Sequence, residues 1–195
     1  MELVRSFIAI ELPAEVRAEL ASIEEKLKVR RHSFVKWADP ESIHLTLKFL
    51  GSVSGETIPE IVEAMSLVAQ PVCPFTLQIG GTGAFPNWQR PQIVWVGVGG
   101  EMGRLATLQR ELEAALSPLS FPPESRPFSP HLTLGRLRER VTPEDRRRFG
   151  LWAQSVKFEA SLSFEVNAVR LMKSQLTSSG PIYSELALVK LKARD

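Results

Sequence analysis

The alternation of apolar and polar residues divides the chain into strands and helices before any chemistry is considered. Leu3 to Leu12 is rich in β-branched and aromatic residues and predicts a strand. Pro13 suits a first helical turn, and Val16, Leu20, Ile23 and Leu27 then recur on one helical face. After the Asp39-Pro40 turn signal, IHLTLKFLG reads as a strand closed by Gly51. Ile58, Ile61, Val62, Met65 and Val68 predict a second helix, ended by Pro71 and Pro74. FTLQIGGTGAF and PQIVWVGV read as two strands with a short connection. Met102, Leu105, Leu108, Leu112 and Leu116 mark a third helix, and a proline-rich loop then leads to the strand HLTLGRL. A charged helix from about Pro143 to Trp152 follows. Two closing strands are expected near Ala160 to Met172 and Ile182 to Leu191, around a Ser178-Ser179-Gly180-Pro181 turn. Mixed elements with short strand connections favour α+β with antiparallel sheets over a doubly wound parallel sheet.

Composition changes this picture little. The chain has 195 residues, 44% of them hydrophobic and 24% charged, which suits one ordered domain spanning residues 1–195. The formal net charge is +2. Proteins that grip long stretches of duplex are usually more basic, so any nucleic-acid contact is expected to be short and local. A single cysteine, Cys73, rules out an internal disulfide and a cysteine-rich metal cluster. The apolar run Phe7 to Ile10 is too short for a signal-peptide core, and no stretch reaches membrane-spanning length, so a cytoplasmic protein without membrane attachment is expected.

The chemical signal is a repeat. His-Leu-Thr-Leu occurs at 44–47 and again at 131–134, so two of the three histidines share one local sequence. On a strand, His and Thr then share one face and the leucines the other, where they can anchor the strand in a core. Two such strands facing each other would set two imidazoles and two hydroxyls around one small ligand. Imidazole titrates near neutrality, so one histidine can serve as base and the other as acid. A threonine hydroxyl can donate to a non-bridging phosphate oxygen. HExxH, GxxxxGK[ST] and GxSxG are all absent from the sequence, and two histidines without a third ligand make a poor zinc site. No metal and no cofactor are therefore expected. A lone His-x-Thr is usually just a half-polar strand, and pseudo-symmetric lobes do reuse strands. A purely structural repeat, however, would favour retaining the leucines and letting His and Thr drift.

The paired motif resembles that of the two-histidine phosphoesterase superfamily. RSFIAIELP, VKWADPESIHLTLKFLG, RPFSPHLTLGRL and LMKSQLTSSGPIYSEL are similar to segments of the bacterial and archaeal RNA 2′,3′-cyclic phosphodiesterases, once named 2′-5′ RNA ligases. The resemblance implies a bilobal fold in which two antiparallel sheets face each other across a cleft. Helices lie outside, a pseudo-twofold relates the lobes, and each lobe supplies one motif. It implies hydrolysis of a 2′,3′-cyclic phosphate to a 2′-phosphomonoester, with His44 as proton donor, His131 as proton acceptor, and Thr46 and Thr133 on the phosphate oxygens. It also implies a reversible 2′-5′ ligation in some members. The expected partners are RNA with 2′,3′-cyclic phosphate ends, tRNA fragments included, or nucleotides, and the expected state is a monomer. The competing readings are a phosphodiesterase for small nucleotide or ADP-ribose cyclic phosphates, and a non-catalytic RNA- or nucleotide-binding module.

Further candidates surround the motifs. Arg126, in RPFSPH, could stabilise phosphate charge, against a reading as a solvated loop residue. Lys48 shares the parity of His44 and Thr46 and faces the cleft if the strand is regular. Arg136 has the opposite parity and points away unless its strand bends. Phe49 and Tyr183 could stack on a base, as could Phe128 and Trp88, although core packing is the usual fate of such rings. The arginines from Arg136 to Arg148 read as a solvated, salt-bridged face. His32, near the end of the first helix, reads as a cation suited to the helix dipole.

Overall fold

The computed structural model describes residues 3–30, 32–158, 162–177 and 180–192. Among the described residues, four α-helices and nine strands follow in the order β1 (Leu3–Glu11), α1 (Ala14–Lys28), β2 (Val35–Trp37), β3 (His44–Ser54), α2 (Ile58–Ala69), β4 (Phe75–Phe85), β5 (Ile93–Gly100), α3 (Met102–Leu116), β6 (His131–Leu137), α4 (Pro143–Ser155), β7 (Leu162–Val166), β8 (Ala168–Leu176) and β9 (Pro181–Lys190). The strands form two sheets, ordered β3-β1-β8-β9 and β2-β6-β5-β4-β7, and every pairing is antiparallel. The fold is the bilobal α+β arrangement expected, with the sheets facing across a cleft.

The helices form where the periodicity requires. Val16, Leu20, Ile23 and Leu27 of α1 are buried, as are Leu105, Leu108, Leu112 and Leu116 of α3. In α4 the Thr142 hydroxyl accepts from the Asp145 amide at 3.1 Å, satisfying a first-turn donor. The leucines of both motifs anchor their strands: Leu45, Leu132 and Leu134 are fully buried and Leu47 is nearly so. Each contributes about 1.5–3 kcal/mol by burial. One continuous apolar cluster draws residues from both sheets and all four helices.

The structure departs from the sequence pattern in three places. The expected strand near Ala160 to Met172 is two strands broken at Asn167; residues 159–161 lie outside the described residues. The break is needed because β7 pairs with β4 while β8 pairs with β1 in the other sheet. The chain therefore crosses between sheets, and the first and last strands share one of them. The strand after Asp39-Pro40 does not stop at Gly51 but runs to Ser54, because Gly51 takes φ +72° and lets it kink around the extra residue Leu50. β2, unexpected from the pattern, adds an edge to the second sheet. Of the Ser178–Pro181 turn, residues 178–179 lie outside those described, while Gly180 takes φ +144°.

Candidate active site

The two motif strands carry the same irregularity. In β3, Ala9 of β1 faces Thr46 and Ile8 faces Lys48, so Leu47 is an extra residue. In β6, Trp95 of β5 faces Thr133 and Val94 faces Gly135, so Leu134 is extra. A bulge puts two consecutive residues on one side and reverses the parity beyond it. Leu47 and Lys48 both turn to the core, as do Leu134 and Gly135, whereas Phe49 and Arg136 turn outward with the histidines.

This corrects the expectation for Lys48. It is 2% exposed and lies opposite the cleft face. Its ammonium pairs with Glu113 of α3 and donates to the Pro122 carbonyl at 2.9 Å. Gln109 of α3 donates to the carbonyl of the extra residue Leu47 at 3.4 Å. In the other half, the Ala38 amide donates to the Leu134 carbonyl at 2.8 Å. The bulge also brings Arg136 round to the cleft, where regular parity would have turned it away.

Each histidine is set by the same contact. Nδ1 of His44 lies 2.8 Å from the Ser42 carbonyl and Nδ1 of His131 lies 2.7 Å from that of Ser129. A carbonyl only accepts, so Nδ1 carries the proton and Nε2 is left as the atom that gains or loses one. The walls differ. His44 stacks on Phe7 (centroids 4.5 Å, 25°) and meets Tyr183 of β9 edge-on at 4.9 Å. His131 meets Phe85 of β4 edge-on at 4.9 Å, with Trp95 at 6.3 Å. The Trp95 ring lies flat over Gly83, where a Cβ would come within 2.2 Å of it, so glycine is required there.

Burial lowers the pKa of both imidazoles, and the carbonyl contacts offset this in part. The Arg136 charge lowers His131 further and does not act on His44. The same guanidinium acts on Tyr183, whose pKa is raised by burial and pulled back by Arg136 and Arg5. The Arg136 charge thus bears on His131 in one sheet and on Tyr183, which touches His44, in the other. β3 and β6 are themselves in contact. Thr46 and Thr133 lie two residues from their histidines on the same faces. Arg126 is exposed in the loop before His131, without an ion pair among the described residues.

The family model for LigT-like phosphoesterases matches twice, over residues 10–95 and 96–183, one motif in each match. The chain belongs to the LigT-like phosphoesterase family. It is 38% identical over 157 residues to the RNA 2′,3′-cyclic phosphodiesterase of Aeropyrum pernix, covering 80% of this chain and 86% of that protein. It is 37% identical over 186 residues to the RNA 2′,3′-cyclic phosphodiesterase of Archaeoglobus fulgidus, covering 94% and 98%. A crystal structure of a Thermus thermophilus protein superposes with a TM-score of 0.80 at 30% identity, covering 98% of this chain and all of that one. Escherichia coli LigT complexed with 3′-AMP superposes at 0.74 and 27% identity, again over 98% of this chain and all of that one.

Within this LigT-like fold, sequence reasoning missed Phe7, Phe85 and Trp95 as walls of the site. Their hydrophobicity marked strands, but only the strand order sets them beside the histidines. Trp88 and Phe128 pack against the core instead. His32 is also corrected: its ring packs on Phe34 and Phe149, and burial lowers its pKa, so it is not a helix-end cation. Arg146 is no solvated face residue, since it donates to the carbonyls of Pro91, Arg138 and Glu139. Among the described residues no cluster could hold a metal ion, and no helix is long and apolar enough to cross a membrane.

Proposed function

We propose that the protein hydrolyses 2′,3′-cyclic phosphates at RNA ends to 2′-phosphomonoesters by acid–base catalysis between His44 and His131. The supporting observation is the matched pair of imidazoles, each with Nδ1 tied to the carbonyl two residues before it and Nε2 left for proton transfer. The relatives named for this activity, alike over most of the chain, point the same way.

His131 Nε2 takes a proton from water as the water oxygen bonds to phosphorus. The bond from phosphorus to O3′ breaks, and His44 Nε2–H gives O3′ its proton, leaving the phosphate on O2′. Thr46 and Thr133 donate to the non-bridging oxygens. The asymmetry of charge favours this division of labour. Burial and, beyond it, the Arg136 charge favour neutral His131, ready to accept, while the anionic substrate favours the protonated form of His44. With an RNA 5′-hydroxyl in place of water, the same residues in the same roles form a 2′-5′ bond, and in exchanged roles they reopen it as O3′ attacks phosphorus and the 5′-hydroxyl leaves. The protein acts in this reading as one two-lobed unit over residues 1–195 and as a monomer. The two imidazoles supply both proton transfers, so activity is expected to persist in EDTA.

The deciding experiment is phosphorus NMR of the product from an oligonucleotide ending in a 2′,3′-cyclic phosphate. A 2′-monophosphate resonance is expected; unchanged substrate or a 3′-monophosphate overturns the reading. A second reading, hydrolysis of small nucleotide cyclic phosphates, is favoured by the 3′-AMP complex of the Escherichia coli relative. Turnover confined to mononucleotides in a substrate panel would select it.

A further inference from the structure

The two ends of the cleft carry opposite electrostatics. At the end beside His44, Glu11 lies opposite the motif in register, and the neighbouring arginines are already matched. Arg170 binds Glu11 at 2.6 Å and also Glu185, while Arg17 binds Glu41 at 3.2 Å. A polyanion leaving in that direction would meet carboxylates.

The other end is built from cations of both sheets. Arg5 lies two residues before Phe7 on the cleft face of β1, and Phe7 touches both His44 and Tyr183. Lys36 of β2 pairs with Arg136 of β6 in register, so the two project to the same side. Lys36 reaches over to the first sheet: its Nζ is 3.9 Å from where a Cβ on Gly180 would stand, at the turn before Tyr183. Arg5, Lys36 and Arg136 are exposed, and none has an ion pair among the described residues. Three like charges drawn together without carboxylates repel one another, and an anion between them removes that cost. The exposed ring of Phe49 lies at this same end.

We propose that Arg5 and Lys36, with Arg136 between them, form a subsite for the phosphodiester that joins the terminal nucleotide to the rest of the RNA. The subsite rests on the cyclic-phosphate reading above and deepens it, since it separates RNA ends from free cyclic nucleotides. A cyclic mononucleotide has no such phosphodiester and gains nothing from it. The contact is exposed, so it is screened by salt and modest for each residue.

The test compares three substrates: a 2′,3′-cyclic mononucleotide, a dinucleotide ending in the same cyclic phosphate, and that dinucleotide with an uncharged methylphosphonate link. The Arg5→Gln/Lys36→Gln variant is expected to lose about tenfold in kcat/KM on the normal dinucleotide, mainly through KM. Its salt dependence should flatten by about one counterion at most, since a single phosphodiester is neutralised there. On the mononucleotide and on the methylphosphonate dinucleotide the variant should match the wild type. Equal losses on all three substrates, or no loss on the normal dinucleotide, would overturn the subsite. Wild-type protein that turns over the mononucleotide as efficiently as the dinucleotide overturns the subsite and leaves the cyclic phosphodiesterase reading standing. Wild-type protein inert on every substrate overturns that reading and the subsite with it.

Discussion

β3 and β6 are nearly the same strand built twice. Both begin with a histidine tied to the carbonyl two residues back, continue through a buried leucine and a threonine, and bulge at the next leucine. They part beyond the bulge. On the core side β3 has Lys48, held by Glu113, where β6 has Gly135, with Trp37 only 2.9 Å from where its Cβ would be. On the cleft side β3 has Phe49 where β6 has Arg136. A shared backbone frame delivers both histidines, and the residues after the bulge give them different surroundings. One imidazole sits among aromatic rings and the other also feels a guanidinium.

Substitutions in each half test what is shared and what differs. The largest effect is expected from the shared part. His44→Ala and His131→Ala should each lower the rate of the chemical step by about 10²–10⁴, read in single-turnover kinetics. A variant that keeps the wild-type rate would remove its histidine from the proton transfers.

The core-side difference comes next. Glu113→Leu leaves the Lys48 ammonium buried without its carboxylate and should cost about 3 kcal/mol in urea unfolding. Adding Lys48→Met should restore most of that, since the other half manages with glycine at this place. A double variant no more stable than the single one would show that the bulge needs the ion pair itself.

The cleft-side difference is read in pH profiles. Arg136 lowers the pKa of His131, so Arg136→Gln should raise it and move the acidic limb of kcat/KM to higher pH. Phe49→Arg sets a cation on the other side, so it should lower the pKa of His44 and move the basic limb to lower pH. Limbs that stay in place in both variants would mean that the residues after the bulge do not tune the pair.

The smallest effect is on stability. His32, His44 and His131 all have folded pKa values below their ordinary 6.5. The unfolded chain therefore binds more protons between the folded and unfolded values. Stability should be full above about pH 6.5 and fall as the pH drops through the lowered folded values, an effect that His32→Phe should diminish. Unfolding midpoints independent of pH across that window would contradict the burial of these rings.

Much of this was legible in the chain itself. The helical faces of α1 and α3 and the four motif leucines follow from spacing alone, because periodicity is local and burial follows it. The paired histidines were visible because their sequence repeats. Lys48 faces away from the cleft, and Arg136 reaches it only through a bend, for one reason: parity counting assumes a regular strand, and nothing in HLTLKF or HLTLGR announces an extra residue. Phe7, Phe85, Arg5 and Lys36 stayed hidden for another. Their neighbours belong to strands far away in sequence, and the crossing at Asn167 that orders those strands leaves no compositional mark.

That crossing has a consequence for synthesis. The wall of the His44 site is completed by Tyr183, from the last strand, whereas both histidines lie within the first 131 residues. A growing chain thus holds both imidazoles well before it can enclose the first of them. The enclosure of His44 comes late, when the C-terminal hairpin docks beside the strand that was made first.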